Sequence, residues 1–63
     1  MNLREMKKLD TRIKTIRKAA QDLTELASEF PAVERNARRI LASVKMLEIN
    51  VSDLLGHLSP ERN

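Results

Sequence analysis

The sequence contains no cysteine, tryptophan or tyrosine, and it has a single glycine, a single phenylalanine and a single histidine. Without cysteine the chain forms no disulfide, thiolate zinc site or thiol nucleophile, which fits a reducing compartment. Small domains without disulfides or a structural metal usually depend on association for stability. We therefore expect no cofactor, and we expect this 63-residue chain to be stabilised by packing against another chain.

Long apolar runs are also missing. No segment approaches the roughly 18 consecutive apolar residues of a membrane span, and the N-terminus lacks the uninterrupted apolar core of a signal peptide. The sequence therefore predicts no membrane partner, and a cytoplasmic location is the default expectation.

What the sequence does contain is two apolar stripes with heptad spacing, separated by Phe30-Pro31. Within each stripe the spacings alternate between three and four, as at the a and d positions of packed helices. The stripe changes phase at the proline, so one continuous helix would not keep both halves on one seam. The prediction is an all-α fold, a single antiparallel helical hairpin. The two stripes are Met6, Leu9, Ile13, Ile16, Ala20, Leu23, Ala27 and Phe30, then Val33, Ala37, Ile40, Val44, Leu47, Val51, Leu54 and Leu58.

Local chemistry places the ends of the two helices. Asn2 is a typical N-cap with Glu5 at the third helical position, and Pro31 suits the first turn of a second helix. Gly56 favours a left-handed residue that closes that helix. The predicted segments are helix 1 at about 3–29, a turn at about 30–31, helix 2 at about 32–55 and a frayed tail at 59–63.

The width of the stripes predicts that two hairpins dimerise into a four-helix bundle. Leu26 and Leu41 extend the apolar surface beyond the strict seam, and small and large residues alternate in the layers Ala20/Leu23 and Ala27/Phe30. The alternative is that the stripe docks on a different protein. The predicted dimer core is Leu9, Ile13, Ile16, Ala20, Leu23, Ala27, Phe30, Ile40, Val44, Leu47, Val51 and Leu54.

A candidate partner patch lies on helix 2. Met46 and Ile49 occupy c and f positions, which point away from the seam within the hairpin, and Leu41 is close to them in sequence. Scattered apolar residues are common on protein surfaces. The alternative is a contact patch for a second protein, in which a flexible methionine adapts to its partner.

The outer side of helix 1 is basic and is a candidate nucleic-acid face. The sequence pI is about 9.8, and regularly spaced cations bind phosphates by releasing counterions. A run of charge is usually a solvated face, however, and the one aromatic residue, Phe30, is predicted to be buried at the turn. The cations of this face are Arg4, Lys7, Lys8, Lys14 and Lys18.

Catalysis is not predicted. His57 stands alone beside Gly56, where a histidine commonly interacts with helix-terminal carbonyls. Asp22, Glu25 and Glu29 share an outer helix face, but no Glu-x-x-His motif accompanies them, so a solvated acidic face is predicted and no metal site. We expect neither an enzyme nor a small-molecule substrate.

Two resemblances bear on the fold. Lys8-Leu9-Asp10 followed by the segment 22–31, Asp-Leu-Thr-Glu-Leu-Ala-Ser-Glu-Phe-Pro, resembles the small helical-hairpin proteins of nitrogen fixation that are associated with NifX. That resemblance implies a hairpin. Thr24 stands where that family has a histidine, so any metal or partner role of the histidine does not carry over. The length and the paired Ala/Leu layers also resemble the Rop protein in architecture, which implies a dimer of hairpins that binds RNA.

The functional expectation is a small non-enzymatic adaptor or regulator that acts through protein contacts as a homodimeric bundle. Two alternatives remain open at this point. One is a Rop-like RNA-binding regulator that uses the basic face of helix 1. The other is a small subunit that folds on a larger complex.

Overall fold

The structure, a computed structural model, describes residues 2–58, with side chains described for 2–56. Two α-helices account for nearly all of this segment: α1, Leu3–Leu26, and α2, Pro31–Leu58. The helices pack side by side in a slab of 48 × 20 × 15 Å, whose thickness is that of a single helix layer. The predicted all-α helical hairpin is confirmed. Neither helix has an apolar stretch long enough to cross a membrane.

The start of α1 follows the predicted capping pattern. Asn2 has an extended backbone, and its side-chain Oδ1 accepts a hydrogen bond from the Glu5 N–H at 2.8 Å. The Asn2 carbonyl accepts a second bond, from the Met6 N–H at 3.1 Å. The side-chain bond gives a partner to one of the N–H groups that the first turn leaves without one, and the bond from Met6 is the first regular hydrogen bond of the helix.

The turn is longer than expected, because α1 ends at Leu26 and not near residue 29. The Ala27 N–H bonds to the Leu23 carbonyl at 2.9 Å, and the Phe30 N–H bonds to the Ala27 carbonyl at 2.9 Å. These two hydrogen bonds give backbone N–H and carbonyl groups a partner where the chain reverses direction. The residue before a proline is also disfavoured in helical conformation, so the break precedes Pro31, which opens α2.

The other end of α2 also differs from the expectation. The helix continues through Gly56 to Leu58, and Gly56 has no positive φ. A glycine inside a helix costs roughly 1 kcal/mol relative to alanine. Leu55, the last residue of the predicted helix, packs against the cluster of Ile13, Val44 and Val51. The predicted frayed tail, 59–63, lies outside the described residues.

The core is a double row with one buried residue per heptad on each helix. These side chains are at most 7% exposed. They occupy the a positions of both stripes, so each helix buries one row against the other. The buried residues are Met6, Ile13, Ala20, Ala27, Ala37, Val44 and Val51.

Candidate interaction surfaces

The second row of each stripe, at the d positions, is largely open to solvent. Its members are 38% to 44% exposed, apart from Phe30 at 64%. Because both rows flank the same buried seam, they form one surface along the hairpin, which we call the open face. The open face consists of Leu9, Ile16, Leu23, Phe30, Val33, Ile40, Leu47 and Leu54.

The predicted dimer core therefore divides into two groups. Five of its residues are buried within the hairpin, and the other seven belong to the open face. Met6 and Ala37, which the predicted core omitted, are buried. The five buried residues are Ile13, Ala20, Ala27, Val44 and Val51.

Phe30 differs from its predicted environment. The sequence predicted that it would be buried at the turn, but its side chain is mostly exposed. Within residues 2–58 no third element covers this end of the open face. Leu26, at 81% exposure, also leaves apolar surface uncovered close to the turn.

The candidate partner patch on α2 also divides. Met46 and Ile49 are exposed, whereas Leu41 is half-buried. Leu41 lies seven residues before Glu48, which pairs with α1, so Leu41 is on the same side of α2 as that ion pair. Met46 and Ile49 thus make up the outward-facing part of this patch.

One ion pair joins the two helices in the described part of the chain. The Arg17 Nε–H donates to Glu48 Oε2 at 2.7 Å, and Arg17 Nη2 donates to Glu48 Oε1. Both side chains remain about one third exposed. The hydrogen bonds from Arg17 lower the pKa of Glu48 and raise the pKa of Arg17. This bidentate pair fixes the helices at one edge of the buried seam.

We expect this pair to make stability depend on pH in acid. Glutamate titrates near about pH 4.3 in an unfolded chain, and the pKa of Glu48 is lower in the folded protein. The stabilisation is therefore complete above that pH and is lost as the pH falls through the folded pKa. Thermal unfolding of Glu48→Gln should show a lower Tm than the unmodified chain at pH 7 and no difference near pH 2.

A matched control for that experiment is Glu25→Gln, which removes the same charge from an exposed site on α1. Its Tm should follow that of the unmodified chain at both pH values. A Tm deficit for Glu48→Gln that is equally large at pH 7 and pH 2 would contradict a role for the charge.

The N-terminal half of α1 carries a basic surface. A shallow depression is lined by Arg4, Lys7, Lys8, Thr11 and Arg12, with no acidic side chain among them. Sequence reasoning did not include Arg12, although it follows Lys8 by four residues and so shares its face. We call the depression with its four cations the basic groove.

The other predicted cations lie further along the same helix. Lys14 and Lys18 line a second depression, together with Asp22. Lys14 Nζ is 2.9 Å from Asp10 Oδ2, and this hydrogen bond raises the pKa of Lys14. Lys14 is therefore less available to an anion than the cations of the basic groove.

The threonines of this surface are already engaged. Thr11 Oγ1 donates to the Lys7 carbonyl at 3.0 Å, and Thr15 Oγ1 donates to the Thr11 carbonyl at 3.1 Å. Such bonds to the preceding turn use the hydroxyl proton within the helix. The basic groove therefore offers an anion charged side chains and not hydroxyl donors.

The acidic residues Asp22, Glu25 and Glu29 are exposed. Among the described residues, no three histidine, cysteine or acidic side chains are grouped so that they would hold a metal ion. The predicted helix-end contact of His57 concerns a side chain outside those that the structure describes. The open face and the basic groove are the surfaces with distinct chemistry.

No protein-family model, curated protein or solved structure matches the chain. The resemblances to NifX-associated proteins and to Rop therefore stay predictions. A functional interpretation depends on the two surfaces themselves.

Proposed function

We propose that the protein is a small non-enzymatic adaptor that acts as a homodimeric four-helix bundle, in which the open faces of two hairpins pack together. The observation that carries this proposal is the exposure of one complete apolar row on each helix. Each a-type residue whose side chain is described is buried inside the hairpin, while its d-type neighbour is not. A second helix layer would cover the whole row at once.

The size of the open face supports this proposal. Eight large apolar side chains, each about two fifths or more exposed, leave on the order of 600 Å² of apolar surface in one strip. This area is at the top of the range of about 300–600 Å² for the largest apolar patch on a typical monomer. It approaches the roughly 800 Å² per partner that standard interfaces bury. A second copy of this chain supplies a strip of the same length and chemistry.

The adaptor role is supported by what such a dimer would leave outside. Met46 and Ile49 lie off the open face, so a bundle would present one such pair on each copy. Exposed methionine and isoleucine suit adaptable contacts with another protein. In the rival arrangement, the hairpin is a subunit whose open face packs on a different protein.

Sedimentation equilibrium across a wide dilution series, read beside far-UV circular dichroism, tests self-association. We expect a helical species of about twice the 7.2 kDa chain mass. A weakly helical monomer at all concentrations would exclude the homodimer and favour a partner protein as the occupant of the open face.

The basic groove favours a second candidate function, binding of RNA through its phosphates. Arg4, Lys7, Lys8 and Arg12 project from about two turns of α1 and line one depression. Phosphate binding by such a surface needs no aromatic stacking platform, but it depends strongly on salt concentration. A homodimer would carry two of these surfaces.

A further inference from the structure

The core of the hairpin is not uniform along its length. Seven side chains are buried among residues 2–56, and the three nearest the turn are alanines: Ala20, Ala27 and Ala37. Towards the open end of the hairpin, the buried positions hold methionine, isoleucine and valine instead. Beneath the open face of each copy, the buried residues are therefore small at the end with the turn and large at the opposite end.

The register of the two helices fixes which residues share a level. Ile13 packs against both Val44 and Val51, so it lies level with about residue 47 of α2. In an antiparallel pair, Ala27 is then level with the first turn of α2, and Met6 is level with about residue 54. The end of the core with small residues and the end with large residues are therefore the same on both helices.

Only two symmetric arrangements stack the same face of a hairpin against itself. A two-fold axis along the helices keeps both turns at one end of the bundle. A two-fold axis across the helices puts the turns at opposite ends. In both arrangements each helix lies antiparallel to the helix stacked on it.

We propose that the second copy packs on the open face turned end for end, with the two turns at opposite ends of the bundle. This inference rests on the proposed self-association and specifies its geometry. With both turns at one end, six alanines would gather there, and both sets of Met6, Ile13 and Val51 would crowd the other end. Reversal places the large buried residues of one copy over the buried alanines of the other, so small and large residues of the two buried rows alternate along the whole bundle.

The rows of the open face are compatible with that axis. The midpoint of the row on α1 lies between Ile16 and Leu23, and the midpoint on α2 lies between Ile40 and Leu47. By the register of the hairpin, the two midpoints are at the same height to within about one helical turn. A single axis across the bundle therefore passes near the centre of both rows.

Charge complementarity supports a second copy as the occupant. Lys8 and Arg12 flank the open face in the N-terminal half of α1, whereas Asp22 lies in its C-terminal half and Glu29 in the turn that follows. Reversal brings the basic half of one α1 beside the acidic half of the other. Stacking with the turns together would instead set Lys8 near Asp53 of the other copy. Charge pairing therefore fits both arrangements, and the sizes of the buried residues distinguish them.

Distance measurement between spin labels tests the orientation, because the chain has no cysteine and one substitution gives one label. Ser28 is exposed in the turn. In the reversed dimer the labels of Ser28→Cys lie about 25–30 Å apart along the bundle, from about 1.5 Å per residue. With the turns together they lie within about 20 Å, given helix spacings of about 8–10 Å.

A mixed dimer gives the reciprocal measurement. Combining Ser28→Cys with Lys8→Cys should add a short distance in the reversed bundle and a long one in the other arrangement. Sedimentation on the same labelled samples separates the two proposals. A dimer with a short Ser28 distance would overturn the orientation and leave self-association intact, whereas a monomer without any intermolecular distance would overturn both.

Discussion

Ile40→Asp should weaken dimerisation at least about a hundredfold. Ile40 lies in the middle of the open face and is 43% exposed in the isolated hairpin. A symmetric dimer would bury two aspartates, and an unpaired buried charge costs several kcal/mol. A hundredfold change corresponds to only about 2.7 kcal/mol. Sedimentation equilibrium should find the variant monomeric at concentrations where the unmodified chain is dimeric.

Ile49→Asp is a closely matched control. It makes the same substitution on the same helix, and Ile49 is 44% exposed, but Ile49 lies outside the open face. Its dimer should be unchanged to within about threefold, while capture of a protein partner through Met46 and Ile49 should weaken. If the two variants dissociate equally, the loss of the dimer comes from a general destabilisation of α2. It then gives no evidence that the open face is the interface. An unchanged Ile40→Asp dimer would also reject the proposed interface.

The hairpin was predictable because its signals are local. The change of heptad phase and Pro31 lie at one point of the chain, and Asn2 caps α1 through a neighbour three residues away. The division into a buried row and an open row was harder to predict from the sequence. Heptad spacing treats the a and d positions alike, whereas the single neighbouring helix buries the a row and leaves the d row open.

The end of α2 shows where local chemistry is insufficient. Gly56 is a common stop signal, but it has no positive φ and the helix continues to Leu58. Sequence reasoning likewise placed Lys14 among the available cations and omitted Arg12. The hydrogen bond of Lys14 to Asp10 depends on side-chain conformation, which spacing alone does not specify. Arg12 was recognisable from its spacing to Lys8.

The second large effect is expected on RNA binding. Arg4→Glu, Lys7→Glu and Lys18→Glu, made together, reverse two cations of the basic groove and one of the second depression. They leave Lys8 and Arg12, which flank the proposed interface, unchanged. If the basic surface binds phosphates, affinity for a short RNA duplex should fall at least about a hundredfold in the triple variant. For the unmodified chain, raising salt from about 50 to 200 mM should cost roughly a thousandfold, as for a protein with six or more phosphate contacts.

The control must distinguish the position of the reversed charges from the change in the net charge of the protein. Arg35→Glu, Arg39→Glu and Lys45→Glu produce the same charge change on exposed positions of α2. Because steering by overall charge acts on both triple variants, only a specific surface makes them differ. The α2 variant should retain affinity within about tenfold, and both should remain dimeric by sedimentation. Equal losses would assign RNA binding to general basicity, and a shallow salt dependence in the unmodified chain would exclude the phosphate-binding role altogether.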